Sequence, residues 1–265
     1  MLNKTIWLLW LQGWDNAPWL VKEVAKSWQL NNPDWKIRLL TFQNIKFYIN
    51  DIDYIYDKNK NISEQAKSDI IRLSLLKNHG GVWVDATMLC LQPINFWIEE
   101  AVSSAGIFMY HNPEGFQASW FIVAQKNNPL IKKWKMACDM YWSHTNSADK
   151  YLWMDELFKQ LYIDDIEFRN YWNNVPYLNC DADGQPHMLV LNNEMTQNSP
   201  SIKFKLYNTP PYIVKLCWKQ WLRYFPDINQ NNCKNSNGYF AIQMSKRQVN
   251  FNHHMTIKNY NHSRF

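Results

Sequence analysis

Asp69, Arg72 and Asp85 are the side chains of this sequence whose types and spacing could do chemistry. An aspartate and an arginine three positions apart share one face of a helix. Such a pair alone is usually a surface ion pair that contributes little. The third residue changes that. From Asp69 a helix rises about 16 Å to Gly80, at roughly 1.5 Å per residue. After the Gly80-Gly81 turn a strand returns about 16 Å to Asp85, at roughly 3.3 Å per residue. The lengths match, so the three side chains are expected to lie level at the carboxyl edge of a sheet. Ligands of open α/β sheets bind at that edge. Asp85 also follows Val82, Trp83 and Val84, large apolar residues among which an unpaired carboxylate is costly.

Other residues invite weaker readings. Lys215 and Lys219 are four apart, on one face if helical, and follow the Pro210-Pro211 stop; they suit a phosphate clamp or a solvated helix face. His187 ends a polar loop and could be a metal ligand, a phosphate donor or a satisfied turn histidine. Asp155 sits among Tyr151, Trp153 and Phe158 and could orient an acceptor hydroxyl, although its helix pattern fits a solvent face equally well. His253 and His254 lack a third ligand at metal spacing and read as surface. Most of the 15 Trp read as core. Trp14, Trp19 and Trp120 lie near loops and could stack on sugar faces.

The elements that must position these residues open with an apolar run at 6–11, a buried strand, and a loop at 12–16. Asn16 can cap a helix with Pro18 in its first turn. Leu20, Val21, Val24, Ala25 and Trp28 mark one face of that helix. Asn32 and Pro33 stop it, and 35–40 read as a second strand. This βαβ opening predicts a parallel sheet. A second helix is expected over about 63–78, and 82–84 read as a central strand, apolar on both faces. Further strands are expected at 107–110 and 120–124, and helices at 129–142 and 154–162. A single domain is expected over 1–228. From Asn229 the chain is Asn-rich, so 229–265 is expected to be loosely packed or disordered, although residues 239–242 could dock.

Composition excludes several classes. In 265 residues, 16% are aromatic and 46% hydrophobic, which excludes a wholly disordered chain. There is no apolar window of about 18 residues, so no spanning helix is expected. The apolar run at the start is too short for a signal-peptide core, so secretion by that route is not expected. Five cysteines, with no Cys-x-x-Cys pair, favour neither a disulfide framework nor structural zinc and suit a cytoplasmic setting. The net charge of +5 suits an anionic ligand or a membrane surface. The charges are scattered, so nucleic acid is not expected as a partner.

Ser68-Asp69-x-x-Arg72 followed by Gly80-Gly81-Val82-Trp83-Val84-Asp85, with 13 residues from Arg72 to Asp85, resembles the sugar-nucleotide signature of retaining glycosyltransferases. Within these it is similar to glycosyltransferase family 32, the capsular polysaccharide synthesis proteins and the glucosylating clostridial toxins. The similarity runs from residue 4 to about 220. It implies a GT-A fold, an α/β Rossmann-like domain with a mixed, mostly parallel central sheet. It implies a UDP-sugar donor, and a hydroxyl of a bacterial surface glycan or lipid-linked glycan as acceptor. Position by position, Trp10 matches the aromatic that stacks on uracil. Asp69 and Arg72 match the pair that holds the donor sugar and its diphosphate side. Asp85 matches the first Asp of Asp-x-Asp, near a Mn²⁺ or Mg²⁺ ion. The second Asp, the direct metal ligand, is here Thr87, a neutral and weaker ligand. If the metal is weak, Lys215 and Lys219 are the candidates to neutralise the leaving diphosphate. The reading places the protein in the cytoplasm, at or near the inner face of the membrane, with peripheral membrane contact. A non-catalytic carbohydrate-binding protein with a decayed donor site is the alternative.

Overall fold

A computed structural model describes residues 2–180 and 187–247. In chain order these contain β1 (Thr5–Leu9), α1 (Trp19–Asn31), β2 (Lys36–Leu40), α2 (Glu64–His79), β3 (Gly81–Val84), β4 (Met88–Cys90), α3 (Ile98–Ala101), β5 (Ile107–His111) and β6 (Gln117–Ala124). There follow α4 (Pro129–His144), α5 (Trp153–Asp164), α6 (Ile166–Asn173), β7 (Met188–Val190), α7 (Pro200–Asn208), β8 (Ile213–Lys215), α8 (Trp218–Tyr224), α9 (Asn231–Asn235) and α10 (Asn237–Ser245).

The central sheet has the order β2-β1-β3-β6-β5. β1 pairs in parallel with both β2 and β3; β6 runs antiparallel to β3 and to β5. Four of the five strands therefore point one way, the mixed, mostly parallel α/β sheet that the sequence implies. β1 and β3 are buried along their whole length, as strands covered on both faces must be. The crossovers from β1 to β2 and from β2 to β3 run in opposite directions across the sheet. Right-handed crossovers then place α1 and α2 on opposite faces, and α1 packs with α8 and α10 while α2 packs with α4. A crevice opens where the direction reverses, beyond the carboxyl ends of β1 and β3.

α2 starts where Ser63 Oγ accepts from the Ala66 amide at 3.2 Å, a serine N-cap. It stops at Gly80, with φ of +68°, followed by Gly81 at +99°. A Cβ on Gly80 would stand 2.5 Å from the Lys126 amide, and one on Gly81 2.5 Å from the Thr5 carbonyl. Only glycine fits this turn, which reverses the chain so that β3 returns along α2.

A second sheet, β4-β8-β7, leans against α1. Its antiparallel pairing sets Lys215 opposite Met88, next to Thr87. Lys215 therefore belongs to a strand, and only Lys219 lies on a helix, α8. The expected common helical face does not exist, because the chain after Pro211 is taken up as the middle strand of this sheet.

Residues 229–247 pack more closely than their composition suggests. Ala241 and Ile242 are fully buried, and the Asn31 side-chain amide donates to the Ser245 carbonyl at 2.9 Å. Asn237 donates to the Glu194 carbonyl at 2.8 Å and accepts from the Ser199 amide at 2.9 Å. Asn237, one of the asparagines that suggested looseness here, satisfies backbone groups instead, while Asn229, Asn231, Asn232 and Asn235 are exposed. Residues 248–265, with His253 and His254, lie outside the described residues. No helix among the described residues is long and apolar enough to cross a membrane.

Candidate active site

An open cleft of about 480 Å³ occupies the crevice at the carboxyl ends of β1 and β3. Arg72 is its electrostatic centre. The side chain is 6% exposed, and its Nη2 lies 3.1 Å from Asp69 Oδ1 and 3.2 Å from Asp85 Oδ1. Nη1 donates to the Ser119 carbonyl at 2.8 Å. The guanidinium lies over the Trp83 ring, 5.2 Å from its centroid, a cation–π contact that fixes its plane. Trp83 also donates its indole N–H to Asp85 Oδ1 at 2.9 Å. The Asp85 amide is held by the Trp120 carbonyl at 2.9 Å. The helix-and-strand arithmetic thus brings Asp69, Arg72 and Asp85 together.

Lys215 approaches from the second sheet. Its Nζ donates to Thr87 Oγ1 at 2.7 Å and stands 3.9 Å from Asp85 Oδ2. Burial depresses its pKa, and Asp85 works against that. Trp10, at the turn after β1, lines the same wall and meets Trp218 edge to face at 5.5 Å. Lys219 lies at the exposed rim beyond Trp218. Ser68, Trp120, Tyr151, Leu152 and Asp155 also line the cleft.

The carboxylates here are not evenly compensated. Burial pushes Asp69 up to about 7; Arg72 pulls it down, while Asp85 and Asp155 push it up further. Asp155 is also raised, again chiefly by burial. It accepts from the Gln117 side-chain amide at 2.9 Å. A cleft floored by three carboxylates around one guanidinium and one ammonium can hold sugar hydroxyls. Its cations can meet an anionic leaving group.

Three expected residues lie elsewhere. Trp14 donates its indole N–H to the Leu40 carbonyl at 2.9 Å and packs against the core, because an aromatic just after a strand serves a core as readily as a cleft. His187 is buried and stacks on Tyr212 at 5.9 Å, outside the cleft, and burial lowers its pKa. Trp19 likewise stacks on Trp221 and Tyr239. Residues 181–186 of the loop before His187 lie outside the described residues. Sequence reasoning missed Tyr151, Leu152 and Trp218 as lining, and Gln117 as the partner of Asp155. Gln117 carried one usable signal, a lone amide at the start of a strand.

The expected metal ligands Asp85, Thr87 and His187 do not converge. Asp85 Oδ1 is already shared by Arg72 and Trp83, and Thr87 Oγ1 by the Lys215 ammonium. A divalent ion on Thr87 at roughly 2.1 Å would sit within about 5 Å of that ammonium. The repulsion would be about 7 kcal/mol at an effective dielectric near 20. No group of three His, Cys, Asp or Glu side chains among the described residues could hold a metal. This donor set does not fit a divalent cation held by the protein.

Comparison with known proteins places these observations. The chain is 28% identical over 152 residues to "O-glycosyltransferase braB" of Annulohypoxylon truncatum, across 50% of this chain and 36% of that protein. It is 25% identical over 165 residues to "Glycosyltransferase afumC" of Aspergillus fumigatus, across 55% and 42%. It therefore spans well under half the length of either. Among solved structures it is similar to the glycosyltransferase GlyE of Streptococcus pneumoniae, at a TM-score of 0.45 and 12% identity, covering 94% of this chain and 67% of that one. It is also similar to the PaToxG glycosyltransferase, at a TM-score of 0.41 and 15% identity, covering 92% and 86%. A model of the family described as "Capsular polysaccharide synthesis protein" matches residues 1–223, a span that contains every residue of the cleft, and the chain belongs to that family.

Proposed function

We propose that the protein is a retaining glycosyltransferase that moves a hexose from a UDP-sugar to a hydroxyl of a glycan. The observation that carries this is Arg72 locked between Asp69 and Asp85 at the floor of a switch-point cleft. Family membership and the printed names of both curated relatives support transfer of a sugar. Trp10 offers its face to uracil. Asp69 and Asp85 accept from donor-sugar hydroxyls, and Arg72 and the two lysines face the diphosphate. Asp155, Trp120 and Tyr151 line the acceptor side. The bond from C1 to the diphosphate oxygen breaks as the acceptor oxygen bonds to C1 from the same face. The acceptor proton passes to the departing phosphate oxygen. The protein supplies position and charge neutralisation. The family description favours a capsule or other surface glycan precursor as acceptor, made at the inner face of the membrane.

Titration calorimetry with UDP on the wild type and Asp85→Ala tests this. Micromolar binding that the substitution weakens supports the reading. A wild type that binds glycans but not UDP would make this a carbohydrate-binding protein and reduce the ion cluster to scaffolding.

A further inference from the structure

We propose that Lys215 takes the place of a divalent cation, so that this protein binds and activates its nucleotide diphosphate without metal. This rests on the glycosyltransferase reading and specifies how its leaving group is neutralised. Three observations converge on the ammonium. First, it occupies the polar position next to Asp85: Nζ donates to Thr87 Oγ1 at 2.7 Å and stands 3.9 Å from Asp85 Oδ2. Second, the backbone holds it there. β8 pairs with β4 so that Lys215 lies opposite Met88, the Leu216 amide donates to the Thr87 carbonyl at 2.9 Å, and the Leu191 amide donates to the Lys215 carbonyl at 3.0 Å. A side chain fixed between two strands needs no reorganisation when charge develops beside it. Third, the side chain is 20% exposed and lines the cleft, so its tip is within reach of a ligand.

An ammonium carries three donors. Thr87 takes one and Asp85 faces a second, which leaves one for a phosphate oxygen. Thr87 suits this partner: a hydroxyl accepts from a lysine without adding charge, so the ammonium remains a net cation toward the diphosphate. An aspartate at position 87 would neutralise the lysine and rebuild a metal ligand. Thr87 and Lys215 therefore act as a matched pair, 128 residues apart in the chain.

The test is UDP titration calorimetry in excess EDTA and in Mn²⁺, together with the paramagnetic resonance signal of free Mn²⁺. The wild type, Lys215→Met, Lys215→Arg and the double variant Thr87→Asp/Lys215→Met are compared, each checked for fold by circular dichroism. The wild type should bind UDP equally well in both conditions and should not deplete free Mn²⁺. Lys215→Met should lose about tenfold or more in EDTA, the scale of one charge-assisted hydrogen bond to phosphate. Lys215→Arg should keep most of the affinity. The double variant should regain affinity only with Mn²⁺ and should deplete the free-ion signal. Wild-type binding that appears only with Mn²⁺, or full affinity in Lys215→Met, overturns the inference and leaves the transferase reading standing. No wild-type binding in either condition overturns both.

Discussion

Two clusters of buried charge flank α2, and they treat the same residue type in opposite ways. On the side facing α4, Asp51 is held by Lys77, Ser74 and Asn78, with Lys135 close by. Lys135 also bonds Asp139 at 2.6 Å, and Tyr54 donates to the same carboxylate at 2.7 Å. Two carboxylates meet two ammonium groups there. Burial raises the Asp51 pKa, but its hydrogen bonds and the two lysines outweigh it, and the group falls to about 2. In the cleft, Asp69 has only Arg72 as a close cation among the described residues, must share it with Asp85, and rises to about 7. One cluster is saturated within the protein. The other retains unmatched groups aimed at an open cleft. Perturbed carboxylates mark a site only when their partners are insufficient; Asp51 shows that burial with charge alone does not make one.

The largest expected effect belongs to the unsaturated cluster. Asp85→Ala should lower kcat by about 10²-fold or more, the loss typical of one preorganised electrostatic contact, and should leave the melting temperature near that of the wild type. Sugar-transfer assays beside thermal melts measure both. Near-normal turnover in a folded variant would remove Asp85 from the reaction.

The saturated cluster should respond the other way. Lys135 is 1% exposed and bridges Asp51 and Asp139. Lys135→Met keeps most of its packed stem and removes the charge. Breaking a buried pair should cost about 3 kcal/mol, which lowers the melting temperature by roughly 6–12 °C for a domain of this size. UDP affinity should stay within about twofold, since the cluster does not line the cleft. A large loss of affinity without loss of stability would mean that the two clusters are one functional unit.

The sequence makes one cluster readable and hides parts of the other for physical reasons. Asp69, Arg72 and Asp85 were legible because one helix, one glycine turn and one strand connect them, and backbone rise fixes their level. Ser63, Gly80 and Gly81 mark the ends of those elements. Lys215 was read as a candidate cation, but its strand was not. Three residues carry no period, and the pairing of β8 with β4 joins segments far apart in the chain. The Gln117–Asp155 bond was hidden in the same way, since neither residue's neighbours point to the other. Trp14 and His187 failed as site residues because apolar bodies with one polar atom fit a core as well as a cleft, and the core holds both. Asn237 of α10 misled because composition reports exposure only on average, and this asparagine bonds the Glu194 carbonyl.

The smallest effect separates the clusters most directly, because its sign differs between them. Asp51 has a folded pKa of about 2 against its ordinary 3.8. Its ionised form therefore stabilises the fold above pH 3.8, and that contribution is lost as pH falls toward 2. Asp51→Asn should cost about 1–2 kcal/mol at pH 7, with the difference shrinking as the solution is acidified below about pH 4. Asp69 is shifted the other way, to about 7. Between pH 3.8 and 7 the folded state holds a proton that the unfolded chain has released, so this group makes the fold less stable as pH rises. Asp69→Asn mimics the protonated form. It should match the wild type below about pH 3.8, pull ahead of it between pH 3.8 and 7, and melt a few degrees higher than it at pH 8, about 1–2 kcal/mol or more of relieved burial. Denaturant melts of both variants across this range decide the matter. A stabilising Asp69→Asn beside a destabilising Asp51→Asn at pH 8 means that the cleft holds its carboxylates at a cost the fold does not offset, as expected where a bound ligand completes the charge balance. The same sign for both would make Asp69 another structural carboxylate, with Arg72 as its sufficient partner.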